Sequence, residues 1–276
     1  SSGETVIHSE DLERLVFGVR DPMYRTGFDR NLWLWEQYSP EYSYLLVADV
    51  ARGDGADFSV FHIIKLETME IIGEYRGKPN LEDFATILDT TGREFGSCLM
   101  VVENNSLGIS ILEKLQSKEY PNLYFSVKGT HEYIDQVQAS SMTNSIAGFT
   151  TSSKTRPLIV AKMEEFIRNK LITIYSSRLV DEFKTFIWNN NKAEAMRSYH
   201  DDLVMALAIG CWVRDTALQT NQREVEYKKA MVGSMMLKSK NFRTLNPGER
   251  DVQQGLTKEQ RTTRNQYSDF VWLLKG

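Results

Sequence analysis

The stretch that most constrains this chain is Tyr44-Leu-Leu-Val-Ala-Asp49, with the turn behind it, Val50-Ala-Arg-Gly-Asp-Gly-Ala-Asp57. A continuous apolar run bounded by turn residues predicts a strand buried on both faces. Gly53 and Gly55 let the chain reverse into a second, antiparallel strand, Phe58-Ser-Val-Phe-His-Ile-Ile-Lys65. Asp49 falls at the end of the first strand, where a carboxylate is costly to bury unless something positive neutralises it. Two readings stand for it: an Asp that starts the turn, or a metal ligand.

A chain of 276 residues makes one large domain, or one domain with extensions. Hydrophobic residues make up 41% and aromatics 11%, enough to fill a core, which argues against global disorder. The two cysteines, Cys98 and Cys211, lie far apart in apolar segments with no CxxC or Cys/His ligand spacing. Neither a zinc site nor a disulfide framework is indicated, and a reducing cytoplasm is expected. No apolar stretch reaches transmembrane length, so no membrane partner is expected, and no signal peptide is read. The start Ser1-Ser-Gly3 lacks an initiator Met and is read as the beginning of an excised domain. A net charge of −4 weighs against a nucleic-acid partner, although charge acts by patch rather than by sum. No GxxxxGK[ST] occurs, so the chain carries no P-loop.

Residues 1–43 predict a short helix near Glu10–Phe17, then a connector packed on the core through Trp33 and Trp35, or the hinge side of an upstream domain. Strands are expected at 44–50, 57–65 and 69–76, an antiparallel meander with a hairpin at Glu67-Thr-Met-Glu70. Asn80 is the N-cap candidate of a helix with Leu81, Phe84, Ile87 and Leu88 on its apolar face, closed by Gly96. Ser97-Cys-Leu-Met-Val-Val-Glu103 is a second buried run ending in a carboxylate. Asn104-Asn-Ser-Leu-Gly108, a helix over 109–116 and a strand over 123–127 follow it. Strands separated by helices imply parallel neighbours. Asp49 and Glu103 are therefore expected at the ends of adjacent strands, where α/β sheets place their sites. Residues 129–155 read as a long loop with a β-hairpin, and Pro157 suits the first turn of the next helix. Leu171-Ile-Thr-Ile174 reads as a short strand, and Ser176 or Ser177 caps a helix running through Leu179, Phe183 and Ile187.

The third carboxylate cluster is Ser198-Tyr-His-Asp-Asp-Leu-Val-Met-Ala-Leu-Ala-Ile-Gly-Cys-Trp212. Its apolar, small-residue helix is expected to pack on the sheet, with Ser198 or Asp201 as N-cap. Asp202 shares a face with Met205, Ala206 and Ile209 and points toward the sheet; Asp201 is rotated by about 100° from it. Residues 219–276 turn polar and charged. The expected fold class is α/β, a mixed β-sheet of an antiparallel meander plus parallel strands, flanked by helices.

Asp49, Glu103 and Asp202, with Asp201 adjacent, thus stand at element ends. Hard divalent cations such as Mg²⁺ take oxygen ligands and bind carboxylates together with substrate phosphates. Two such ions about 4 Å apart activate the attacking water and stabilise the leaving oxygen of a phosphodiester. Without metal, converging acids repel one another and raise each other's pKa values.

The motifs VADVARGDGADFSV, VVENNSLG and YHDDLVMALA, in this order, resemble the C-terminal nuclease domain of the large terminase subunit of T4-like tailed phages. These domains belong to the RNase H/integrase superfamily, with Holliday-junction resolvases as relatives. The resemblance covers roughly residues 40–215. It implies an RNase H-like fold and a Mg²⁺- or Mn²⁺-dependent endonuclease, with a two-metal site, that cuts concatemeric double-stranded phage DNA during head filling. It implies Asp49, Glu103 and Asp202 as catalytic metal ligands, with Asp201 as a second ligand or an outer partner. It further implies an upstream ATPase domain of the same subunit as partner, together with the portal protein and the small terminase subunit, in the host cytoplasm at the procapsid portal. The domain layout is then 1–43 connector, 44–218 nuclease domain and 219–276 polar extension.

Smaller expectations attach to other residues. Asp54 and Asp57 fit turn chemistry, and Asp57 is also within reach of the metal's outer shell. His200 is a general acid/base, a substrate contact or a structural His. Arg52, Lys154 and Arg156 are phosphate-contact candidates. The stretch from Lys154 to Lys184 holds seven Lys/Arg against four Asp/Glu. Nothing encodes base readout, so little sequence preference is expected. The rivals are a resolvase-like junction nuclease on the same fold, and a DNA- or portal-docking module without activity.

Overall fold

The computed structural model describes residues 4–27, 29–51, 57–129, 133–190 and 192–215. In chain order the elements are α1 (Ser9–Gly18), β1 (Tyr24–Thr26), β2 (Leu32–Leu34), β3 (Tyr44–Asp49), β4 (Ser59–Lys65) and β5 (Glu70–Gly77). Then come α2 (Leu81–Glu94), β6 (Leu99–Val102), α3 (Ser106–Ser117), β7 (Phe125–Val127), β8 (Tyr133–Ile134) and α4 (Gln136–Ser141). The last are β9 (Ser145–Ala147), α5 (Thr155–Arg168), α6 (Ser177–Thr185), β10 (Phe186–Asn189), β11 (Lys192–Ala195) and α7, helical over the described residues 202–215. A six-stranded sheet has the order β1-β2-β5-β4-β3-β6, antiparallel except for the β3–β6 pair, which is parallel. The expected mixed α/β architecture is present.

The apolar runs explain why β3 and β4 lie at the centre. Leu45, Val47, Val60 and Ile64 face a core shared with α5, α6 and α7. Leu46, Ala48, Phe61 and Ile63 face a second core shared with α2 and α3. Each strand buries alternate residues on opposite faces, so its sequence must be apolar throughout. Asn80 caps α2 by accepting the Asp83 N–H at 2.9 Å, and Gly96 follows the helix at φ +74°. Ser176 caps α6 by accepting the Leu179 N–H at 3.3 Å.

Four expectations need correcting. Residues 24–34 are more than a connector. Trp35 is buried and donates its indole N–H to the Arg20 carbonyl, while β2 pairs with β5 and β1 with β2. Three-residue strands are too short to carry a period-2 signal. Residues 123–127 do not extend the main sheet as a parallel strand. Leu123 makes one parallel bridge to Met100, and β7 then pairs antiparallel with β8 and β9 in a separate sheet. Residues 171–174 form only a bridge, Thr173 with Glu70. Ile187 is on β10, not on α6: Phe-Ile-Trp favours strand, and Asn190 at φ 48° turns the chain into β11. Residues 219–276 lie outside the described residues. No helix among the described residues is long and apolar enough to cross a membrane.

Two glycines set how closely helices approach the sheet. A Cβ on Gly210 of α7 would stand 2.7 Å from the Ile64 Cδ1, a movable methyl. A Cβ on Gly108 of α3 would stand 1.7 Å from the Glu103 carbonyl oxygen, which is fixed backbone. Alanine in place of helical glycine gains up to about 1 kcal/mol of helix propensity at either site. Gly210→Ala is therefore expected to melt within about 3 °C of the unaltered protein. Gly108→Ala is expected to lose about 3 kcal/mol or more, a fall of roughly 6–12 °C. Calorimetry on both variants checks this, and equal melting of the two would refute the contrast.

Candidate active site

Asp49 ends β3 and Glu103 follows β6 directly. The parallel register sets Leu45 beside Leu99, Val47 beside Val101 and Ala48 beside Val102, so Asp49 and Glu103 come next. Strand alternation puts residues 45, 47 and 49 on one face, and 99, 101 and 103 on the same face. That face carries α7, whose first residue is Asp202. Asp49, Glu103 and Asp202 line one cleft of about 330 Å³, with Asp57 and Asn105 at its walls.

The surrounding backbone fixes each carboxylate. Val50 N–H donates to Asp49 Oδ1 at 2.7 Å, and the buried Ser59 hydroxyl ties down Ala51 just beyond. Glu103 N–H donates to the Ala48 carbonyl at 2.9 Å. Phe58 N–H, at the entry to β4, donates to Asp202 Oδ2 at 3.1 Å. Asn105 has two tasks. Its Oδ1 caps α3 by accepting the Leu107 and Gly108 N–H groups at 3.3 and 2.9 Å. Its Nδ2 donates to Glu103 Oε2 at 3.1 Å and approaches Asp49 Oδ1 at 3.5 Å.

The two aspartates at α7 diverge. Asp202 turns into the cleft, whereas Asp201 Oδ2 receives the Arg156 guanidinium at 2.6 Å. Arg156 also donates to the Ala193 carbonyl, so the phosphate-contact candidate is committed to Asp201 and β11. Lys154 is exposed at the N-cap of α5. The hydroxyls beside it serve the helix itself: Thr155 N–H donates to Ser152 Oγ at 3.1 Å and Ser152 N–H to Thr155 Oγ1 at 2.7 Å. Arg52 and Asp54 lie outside the described residues. His200 Nδ1 stands 3.7 Å from Asp202 Oδ2 and 3.8 Å from Asp57 Oδ1, and its ring meets Phe58 edge-on at 5.1 Å. Asp57, His200 and Asp202 present donor atoms within 4.8 Å of one another.

Burial, then the neighbouring Glu103, holds the Asp49 carboxyl well above the usual carboxylate range. Burial also pushes Asp202 up to about 6, against the pull of the Phe58 N–H. Among the described residues, no Lys or Arg forms an ion pair with Asp49, Glu103 or Asp202. Converging oxygen donors and raised pKa values, with no Lys or Arg paired to them among the described residues, are what a hard divalent ion would complete.

Sequence reasoning missed Asn105 and Phe58. An Asn immediately before a helix start is a capping signal, and it marks Asn105. Nothing local marks Phe58, because its role is a backbone N–H offered to a residue far along the chain.

No family model matches the sequence. Solved structures do. The large terminase nuclease of thermophilic phage G20c, determined with bound magnesium, superposes with a TM-score of 0.57 at 19% identity, over 75% of this chain and 96% of that one. The same nuclease with bound cobalt gives 0.56 at 19% identity, over 75% and 96%. The large terminase nuclease domain of Thermus phage P74-26 gives 0.52 at 19% identity, over 72% and 90%. This is the large-terminase nuclease fold. The likeness spans nearly the whole of each of these nuclease structures and fixes the RNase H-like architecture of the chain.

The raised carboxyls give a signed pH effect. A group whose pKa is higher folded than unfolded contributes stability below its unfolded pKa and loses it as pH rises through the folded value. Each unit of such a raise is worth about 1.4 kcal/mol. In EDTA, Asp49→Asn is expected to raise the melting temperature relative to the unaltered protein at pH 8, with the gain vanishing near pH 4. Calorimetry at the two pH values decides it; a gain that is equal or larger at pH 4 would show that Asp49 carries no such strain.

Proposed function

We propose that this chain is a metal-dependent endonuclease that cuts concatemeric double-stranded phage DNA during genome packaging, with little sequence preference. The observation that carries the proposal is the convergence of Asp49, Glu103 and Asp202 on one cleft, with no Lys or Arg paired to them among the described residues. The terminase nuclease fold, and the metals bound by proteins that share it, support the reading.

Asp49, Glu103 and Asp202 hold Mg²⁺ or Mn²⁺, in a two-metal site, and such ions supply water activation and leaving-oxygen stabilisation. Asn105 orients Glu103, and the Phe58 N–H orients Asp202. His200 Nδ1, beside Asp57 and Asp202, is placed to carry a proton at the rim of the cleft. The Arg156–Asp201 pair flanks the third ligand from outside. The nuclease domain centres on residues 44–218, and the segment 1–43 adds β1 and β2 to its sheet. The extension 219–276 carries eleven Lys/Arg against six Asp/Glu, so the basic charge useful for DNA backbone lies apart from the acid cleft in sequence. The upstream ATPase domain, the portal protein and the small terminase subunit are the partners of this reading, and the host cytoplasm at the procapsid portal is its place of action.

Supercoiled plasmid is the test substrate. Nicking and linearisation are expected with Mg²⁺ or Mn²⁺ and none with EDTA. Asp49→Ala, Glu103→Ala and Asp202→Ala should each cut at least about a hundredfold more slowly with the fold retained. Cleavage that persists in EDTA, or that survives Asp49→Ala, would sink the proposal.

A further inference from the structure

Asp201 is the N-cap residue of α7, since its carbonyl accepts the Met205 N–H at 2.8 Å. An Asp in that place ordinarily turns its carboxylate onto the N–H groups two or three residues further on. Here it does not, because its Oδ2 is held by Arg156 at 2.6 Å. Asp202 does not cap the helix either: it turns into the cleft and accepts the Phe58 N–H. The acceptor comes instead from α6. Glu182, 5% exposed, receives the Leu203 and Val204 N–H groups on Oε2 at 2.9 and 3.3 Å. From the sheet side, the buried His62 of β4 places Nε2 2.9 Å from the Leu203 carbonyl. Leu203, the residue after Asp202, is thus held at both backbone groups by side chains from elsewhere in the fold. The other Glu182 oxygen lies 3.7 Å from Arg76 Nε, and that guanidinium covers the Phe58 ring at 4.1 Å. The same network therefore reaches the residue whose N–H orients Asp202.

We propose that Glu182 is a positioning residue of the nuclease site. It caps α7 from outside the helix, which releases Asp201 and Asp202 from capping and fixes the Asp202 carboxylate toward Asp49 and Glu103. A cap for stability alone needs no buried acid on a neighbouring helix, because Asp201 already stands where a local cap belongs. The proposal rests on the nuclease reading above, and it assigns Glu182 no contact with metal or substrate.

The test uses the full chain with Mn²⁺ as probe. Mn²⁺ affinity is read by titration calorimetry, plasmid cleavage by kcat and KM, and fold by circular dichroism at a temperature where each variant is folded. Glu182→Leu, which removes the acceptor at similar volume, is expected to weaken Mn²⁺ binding and lower kcat by about tenfold or more, with KM for DNA unchanged. Glu182→Gln keeps an oxygen for both N–H groups and is expected to stay within about threefold on both counts. Should the Leu variant not fold, Glu182→Asp carries the test, since its carboxylate is shorter by one methylene and drawn back from the two N–H groups. A folded Leu or Asp variant that only melts earlier, while binding Mn²⁺ and cutting normally, would overturn the proposal and leave the nuclease reading intact. An unaltered protein that neither binds Mn²⁺ nor cuts would bring down the nuclease reading and this proposal with it.

Discussion

Asp49 and Glu103 are neighbours because β3 and β6 run parallel in a register that ends one residue before each of them. The two carboxylates face the same side, where α7 adds a third, Asp202. Their mutual repulsion opposes the fold that creates it. The surrounding structure is built to hold that opposition: β3 and β4 are buried on both faces, and α7 lies close enough that Gly210 has no room for a side chain without displacing Ile64. Packing supplies the free energy, and the acids consume part of it. Carboxyls with raised pKa values gathered in a cleft at the end of well-packed strands mark a candidate functional site.

Carboxylates elsewhere in the protein, part-buried or buried, show the alternative. Lys65, at the far end of β4, meets Glu36 at 2.7 Å and Glu70 at 2.6 Å, and Tyr175 donates to Glu70 as well. Burial draws the Lys65 ammonium toward deprotonation, but the two carboxylates prevail and hold its pKa above the usual lysine range. Glu74, fully buried, receives Arg178 at 2.8 Å and the Ser176 hydroxyl at 2.7 Å. Each of these acids is paired with a protein cation. Among the described residues, strands β3 and β4 thus carry charge paired with a protein cation at one end and acids without one at the other, and this asymmetry, not burial alone, separates a site from a structural ion pair.

The sequence displayed the central strands, the two strand-end acids and the apolar helix with its Asp pair, because each is a continuous pattern in one segment. Asn80, Gly96 and Ser176 were legible as caps for the same reason. Short pairings were not legible. β1 and β2 are held by a few backbone bonds to the edge of β5, and Phe186-Ile-Trp-Asn189 continues a helical spacing that its own strand propensity breaks. Within the site, the Asp201 and Asp202 pair could be ranked by helix facing. What the sequence could not display was why they diverge: Arg156 lies 45 residues from Asp201 and Glu182 lies 21 residues from Leu203. Those contacts exist only once α5, α6 and α7 have packed.

That dependence sets Asp202 apart from the other two acids. The register of β3 and β6 by itself brings Asp49 beside Glu103. Asp202 joins them only when the first turn of α7 is held, and that turn carries no acceptor of its own because Asp201 is drawn to Arg156. Its unsatisfied N–H groups would cost about 1–3 kcal/mol each if buried without partners. Docking of α6 removes that cost through Glu182, and His62 closes the other side through the Leu203 carbonyl. The placement of Asp202 is therefore coupled to the packing of α6 and α7 on the sheet.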